Sequence, residues 1–147
     1  MEWAALIAWV ATAGGGFVLL ALWLKHGGMN QGEQGRIRPP LILSHFLLAA
    51  AGLVVWIVYV VADKEVLAWI ALAMLAIVAL LGFTMFFVWL RQRRTGVLAR
   101  AATTPATAAG GGAPAERRFP VAIVTVHGLL AVTTVVLVFL AAIDVGG

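Results

Sequence analysis

"PLILSHFLLAAAGLVVWIVYVVA", Pro40 to Ala62, carries no charged residue and is long enough to cross a hydrocarbon core of about 30 Å as one helix. Three further runs of the same kind lie around it: Trp3 to Leu24, Val66 to Leu90 and Pro120 to Ile143. They leave little of the 147 residues for anything else, and 63% hydrophobic, 11% charged and a mean hydropathy of +1.05 describe a chain solvated by lipid. The first run begins at Glu2 without a basic lead and is too long for a signal h-region, so it is expected to be a retained span.

Nine of the ten Lys and Arg residues fall in the segments joining run one to two and run three to four. Those segments are expected in the cytoplasm, with both termini outside, as in a multi-pass protein of a bacterial inner membrane. Glu2, the "DKE" turn at Asp63 to Glu65 and Asp144 then share the outer side. The basic residues flank spans, where they orient helices and meet anionic headgroups, so the pI near 10.8 is no sign of nucleic-acid binding. There is no cysteine, which excludes disulfides, thiolate metal sites and covalent c-type haem attachment.

The chain repeats itself. At an offset of 66, Trp3 matches Trp69, Gly16 and Phe17 match Gly82 and Phe83, and Trp23, Leu24 and Lys25 match Trp89, Leu90 and Arg91. At an offset of 82, His45, Leu47, Leu48 and Ala49 match His127, Leu129, Leu130 and Ala131. The expected fold is an all-α integral membrane protein, a four-transmembrane-helix, up-down-up-down bundle made of two parallel tandem helical hairpins. Repeat one covers 1–63 (spans about 3–24 and 40–62) and repeat two 66–144 (spans about 66–90 and 120–143). Segment 95–116, rich in Ala, Gly, Thr and Pro, is expected to be a flexible cytoplasmic linker. Trp3, Trp23, Trp69 and Trp89, spaced about 30 Å apart within each helix, are expected as interfacial anchors; Trp9 and Trp56 have no counterpart.

The two matched histidines sit well inside their spans, where an ionisable side chain is costly and marks function. Residues sharing their helical face are small: Ala49 and Gly52 after His45, Ala131 and Thr134 after His127. Gly16 and Gly82 each precede the basic boundary by nine positions, which places them near the same height. Two imidazoles with small neighbours and flanking glycines suit a flat macrocycle between helices. That reading makes His45 and His127 axial ligands of one haem b, with Arg36, Arg38, Arg117 and Arg118 available to its propionates.

On these "HxLLA" echoes and glycines the four spans resemble the bis-histidine membrane b-type cytochromes and, in outline, one four-helix half of the haem A synthases. The resemblance implies axial roles for His45 and His127, and one-electron transfer with a quinone or as a subunit of a redox complex. The multi-haem cytochromes carry a second histidine pair near the other face; this chain has none, so electron transfer across the membrane through it alone is not expected. Two other classes stay open: a cofactor-free accessory or scaffold subunit in which histidines bond to each other, to Ser44 or Thr125, or to backbone, and a small transporter or channel acting as an oligomer. Gly14, Gly15 and Gly16 suit a close contact with another span, as in a homo-oligomer. His26 reads as a solvated interfacial residue, and "HGGMNQGEQGR" lacks the spacing and lysine of a phosphate loop. No set of serine, histidine and acid is placed for catalysis.

Overall fold

A computed structural model of the chain describes residues 1–30, 37–102 and 115–145. It is all-helical in these segments: α1 (Glu2–Lys25), α2 (Pro39–Ala62), α3 (Glu65–Ala102) and α4 (Val121–Val145), with single 3-10 turns at Gly28–Asn30 and Ala115–Arg118. Each of the four is long and apolar enough to cross a membrane.

The helix ends follow local chemistry. Glu2 in the first turn of α1 and Lys25 in its last complement the helix dipole. Beyond Lys25 the chain turns at Gly27, whose φ of 74° is the left-handed conformation that closes a helix and that glycine adopts without strain. Its N–H bonds Leu24 O at 3.0 Å. Pro39 and Pro40 occupy the first positions of α2, where the missing N–H costs nothing. α2 stops at Asp63, a left-handed cap (φ 50°), and α3 starts two residues later. The third helix runs past its expected end at Leu90 and through the start of the expected linker to Ala102. "LARAA", Leu98 to Ala102, consists of good helix formers, and the next proline comes only at Pro105. The expected linker's middle, 103–114, lies outside the described residues.

Buried residues form two groups. The larger collects Ala5 and Trp9 from the start of α1, Trp56 and Tyr59 from the end of α2, Ala68, Ala71 and Leu75 from the start of α3, and Val138, Ala141 and Ala142 from the end of α4. Glu2 belongs to this acidic end: Tyr59 Oη donates to its carboxylate at 3.0 Å. The second group closes the opposite, basic end: Trp23, Ile37, Trp89, Gln92, Ala115 and Glu116. Small side chains let the helices approach, as they must where lipid offers apolar side chains as good a solvent as a neighbouring helix.

Burial follows the two sequence offsets. Ala5 and Ala71, Trp9 and Leu75, and Trp23 and Trp89 are buried at an offset of 66; Gly52 and Thr134, Trp56 and Val138, and Tyr59 and Ala141 at 82. In three of these pairs a large aromatic of the first half faces a smaller partner in the second. In the cluster at the acidic end, Trp9, Trp56 and Tyr59 thus fill space that their smaller counterparts Leu75, Val138 and Ala141 leave, whereas at the basic end both matched tryptophans are buried.

The tryptophan expectation is half corrected. Trp3 and Trp69 are open to the surroundings, at 66% and 43% exposure, as anchors are. Trp23 and Trp89, at 1% and 5%, are packed inside the basic end instead.

Candidate functional site

Between the two buried groups lies a layer without a buried residue. None of residues 10–22, 39–51, 79–88 and 119–133 is buried, a stretch of at least about 15 Å along each helix. His45 and His127 are in this layer, both half-buried.

The two rings are held in the same way. His45 Nδ1 lies 3.0 Å from the carbonyl oxygen of Val78 on α3, and His127 Nδ1 lies 3.0 Å from that of Thr12 on α1. Val78 and Thr12 each precede a glycine by four residues, so each carbonyl points along its helix towards Gly82 or Gly16. A carbonyl oxygen has a second lone pair beyond the one used in the helix, and the imidazole takes it. To reach it, the ring must lie against the next turn of backbone. A Cβ on Gly82 would stand 3.2 Å from His45 Cε1, and one on Gly16 3.2 Å from His127 Cε1. A Cβ there would be a tight contact, so the ring would have to give by a few tenths of an ångström.

This contact fixes the tautomer. A carbonyl only accepts, so Nδ1 carries the proton and donates it, which leaves the lone pair of the neutral ring on Nε2. Neither Nε2 has a hydrogen-bond partner among the described residues. A neutral imidazole with Nδ1–H bound to a carbonyl and Nε2 available is the form in which histidine ligates a metal, since the second contact orients the ring and raises the basicity of the ligating nitrogen.

The remaining expected site residues divide. Gly16 and Gly82 lie against the rings as described. Ala49 and Ala131 are half-buried on the layer. Gly52 and Thr134, expected to leave room beside the rings, are filled: the Trp9 ring stands 3.1 Å from where a Gly52 Cβ would be, and Thr134 Oγ1 is 2.9 Å from Thr12 Oγ1. Arg38, Arg117 and Arg118 are exposed, and Arg36 lies outside the described residues. Gly15 and Gly16 meet His127 of the same chain, while around Gly14 nothing comes within 4 Å of a Cβ. His26 caps α1, with Nδ1 2.6 Å from Leu22 O. No group of three or more His, Cys, Asp or Glu side chains that could hold a metal ion is found among the described residues.

Sequence reasoning missed Thr12 and Val78, whose contribution is a backbone atom. The signal that would have found them is their position four residues before each matched glycine. It also missed the inward packing of Trp23 and Trp89. Compared with known proteins, the chain matches no family model, no curated protein and no solved structure.

Proposed function

We propose that this chain is an integral membrane haem b-binding protein of a bacterial inner membrane, in which His45 and His127 are the two axial ligands. The observation that carries the reading is the pair of matched sockets: each ring donates Nδ1–H to a carbonyl of a neighbouring helix and keeps Nε2 free, in a layer where no residue is buried. When bound, haem b supplies one-electron exchange, with a quinone or a redox partner subunit as donor or acceptor. The chain's own residues orient the two ligands through the carbonyls of Thr12 and Val78, hold the Nδ1 proton of each ring there, and exclude water with the buried groups above and below. The proposal includes the up-down-up-down arrangement of two tandem hairpins, with the basic end in the cytoplasm and both termini outside. Its supports are the burial that recurs at both offsets, the gathering of helix starts and ends in one buried cluster, and the distribution of Lys and Arg.

A second reading, a cofactor-free accessory subunit, is favoured by the same Nδ1 contacts taken alone, since they already join α2 to α3 and α4 to α1. Absorbance separates the two. The full chain purified from membranes with haem supplied should show a Soret band and a reduced α band of a bis-histidine centre, and the double variant His45→Ala, His127→Ala should show neither. A colourless wild type, or a full Soret band in the double variant, removes the haem assignment.

A further inference from the structure

The residue whose carbonyl holds the His127 ring also carries a hydroxyl, and its counterpart in the other socket does not. Thr12 matches Val78 at the offset of 66, and Thr134 matches Gly52 at 82. Thr134 follows His127 by seven residues, so it lies two turns further along the same face of α4, about 10 Å away. It is buried, at 1% exposure, and its Oγ1 stands 2.9 Å from Thr12 Oγ1. α4 therefore grips Thr12 at two atoms: His127 takes the carbonyl and Thr134 the hydroxyl.

Proton count makes the hydroxyl contact a bond. Thr12 Oγ1 is also 2.8 Å from Ala8 O, and Thr134 Oγ1 2.8 Å from Leu130 O, so two hydroxyl protons serve three short contacts. If each hydroxyl donated only to its own helix, two oxygens 2.9 Å apart would oppose their lone pairs with no proton between them. One hydroxyl therefore donates across the helix boundary while the other donates within its helix, and either direction ties α1 to α4. The adjacent Thr133 differs: its hydroxyl is exposed and donates to Leu129 O within α4, at 3.0 Å.

We infer that Thr134 is a positioning residue for His127: by bonding the Thr12 hydroxyl it fixes α1 against α4, and so holds in place the carbonyl that receives the His127 Nδ1 proton. The His45 socket has no such tie, because Val78 carries no hydroxyl and Gly52 no side chain; the Trp9 ring packs there instead. The two rings are thus oriented by different means, one by a polar bond between helices and the other by apolar packing. The consequence for potential rests on the haem reading. A firmly held Nδ1–H contact makes the ligating nitrogen more basic, which favours ferric over ferrous iron, so loosening it raises the potential.

The test begins with the full-length chain in detergent, free of haem and carrying isotope-labelled histidine, in which NMR reads the Nδ1–H of each ring. Thr134→Val and Thr12→Val keep the side-chain shape and remove a hydroxyl; each should shift the His127 signal and leave that of His45 in place, which also shows that the bundle has kept its fold. Thr134→Ser, which retains the hydroxyl, and Thr133→Val should leave both signals at their wild-type positions. Since the two valines break one bond, the double variant should shift His127 no further than either alone. An unmoved His127 signal, equal displacement of both rings, or shifts that add overturns the inference. With haem b bound, Thr134→Val and Thr12→Val should keep the bis-histidine spectrum and raise the midpoint potential by the same amount; an unchanged or lowered potential overturns the inference and leaves the haem reading standing. A wild type without a Soret band removes the haem reading, and the NMR comparison then decides the positioning of His127 by itself.

Discussion

The His45 and His127 sockets share a hydrogen bond and differ in almost everything around it. Each has a ring, a carbonyl at 3.0 Å and a glycine one turn further on. On the acidic side of His45, however, Gly52 is covered by the Trp9 ring, which itself stacks at a tilt on Trp56. On the acidic side of His127 the contact is polar, between the Thr12 and Thr134 hydroxyls. Beside His45, Phe46 meets Phe17 edge-on at 5.1 Å, whereas Gly128 stands beside His127 with no atom within 4 Å of a Cβ. What the two sockets keep is what backbone geometry demands: a carbonyl and a missing Cβ. Their surroundings diverge.

The comparison can be broken most directly at the rings. If haem binds as proposed, His45→Ala and His127→Ala, made singly, should each abolish the bis-histidine absorbance spectrum, and to the same degree; loss in one variant alone would mean the sockets are not equivalent. Next comes the packing beside His45. Trp9→Ala removes a buried ring and should lower stability by about 3 kcal/mol in unfolding monitored in detergent. The glycines follow: Gly16→Ala and Gly82→Ala should each cost about 1–2 kcal/mol, because the new methyl meets a ring tethered to a carbonyl. Equal costs sharpen the equivalence, and a neutral result at either position shows that its ring can move. Thr134→Val, at the polar counterpart of the Trp9 contact, should cost only about 0.6 kcal/mol, the usual size of an interhelical hydrogen bond in a membrane. The smallest effect belongs to Gly128→Phe. It fills open space at the position that matches Phe46, with Phe83 matching Phe17, and should change stability by no more than about 1 kcal/mol, in the stabilising direction if it reproduces the Phe17–Phe46 pair.

Much of the fold was legible because a membrane limits the choices. A long uncharged run such as Pro40 to Ala62 has to satisfy its backbone internally, and a helix does so within one segment. The helix ends lie within a few residues of the ends of the apolar runs except for α3, where helix propensity carried the chain through Gly96 to Ala102. Prolines at the start of α2 and the glycine after α1 marked their helix ends in advance. Trp23 and Trp89 were misread for a physical reason: a tryptophan near a span's end has the same spacing whether it faces headgroups or the bundle interior, and only its neighbours decide. Arg38, Arg117 and Arg118 were similarly ambiguous, since a basic residue at a boundary serves orientation and ligand pairing equally well.

For the site, the sequence by itself determined the pairs: two histidines and two glycines at constant offsets, on four runs long enough to span a bilayer. Only the tertiary structure decided who meets whom. It set His45 against Gly82 and His127 against Gly16, each across a helix boundary and each bonded to a carbonyl that no side-chain pattern announces. The reason is that offsets record positions along a chain, whereas a hydrogen bond depends on the angle and separation of two helices, and these follow from which side chains fill the space between them.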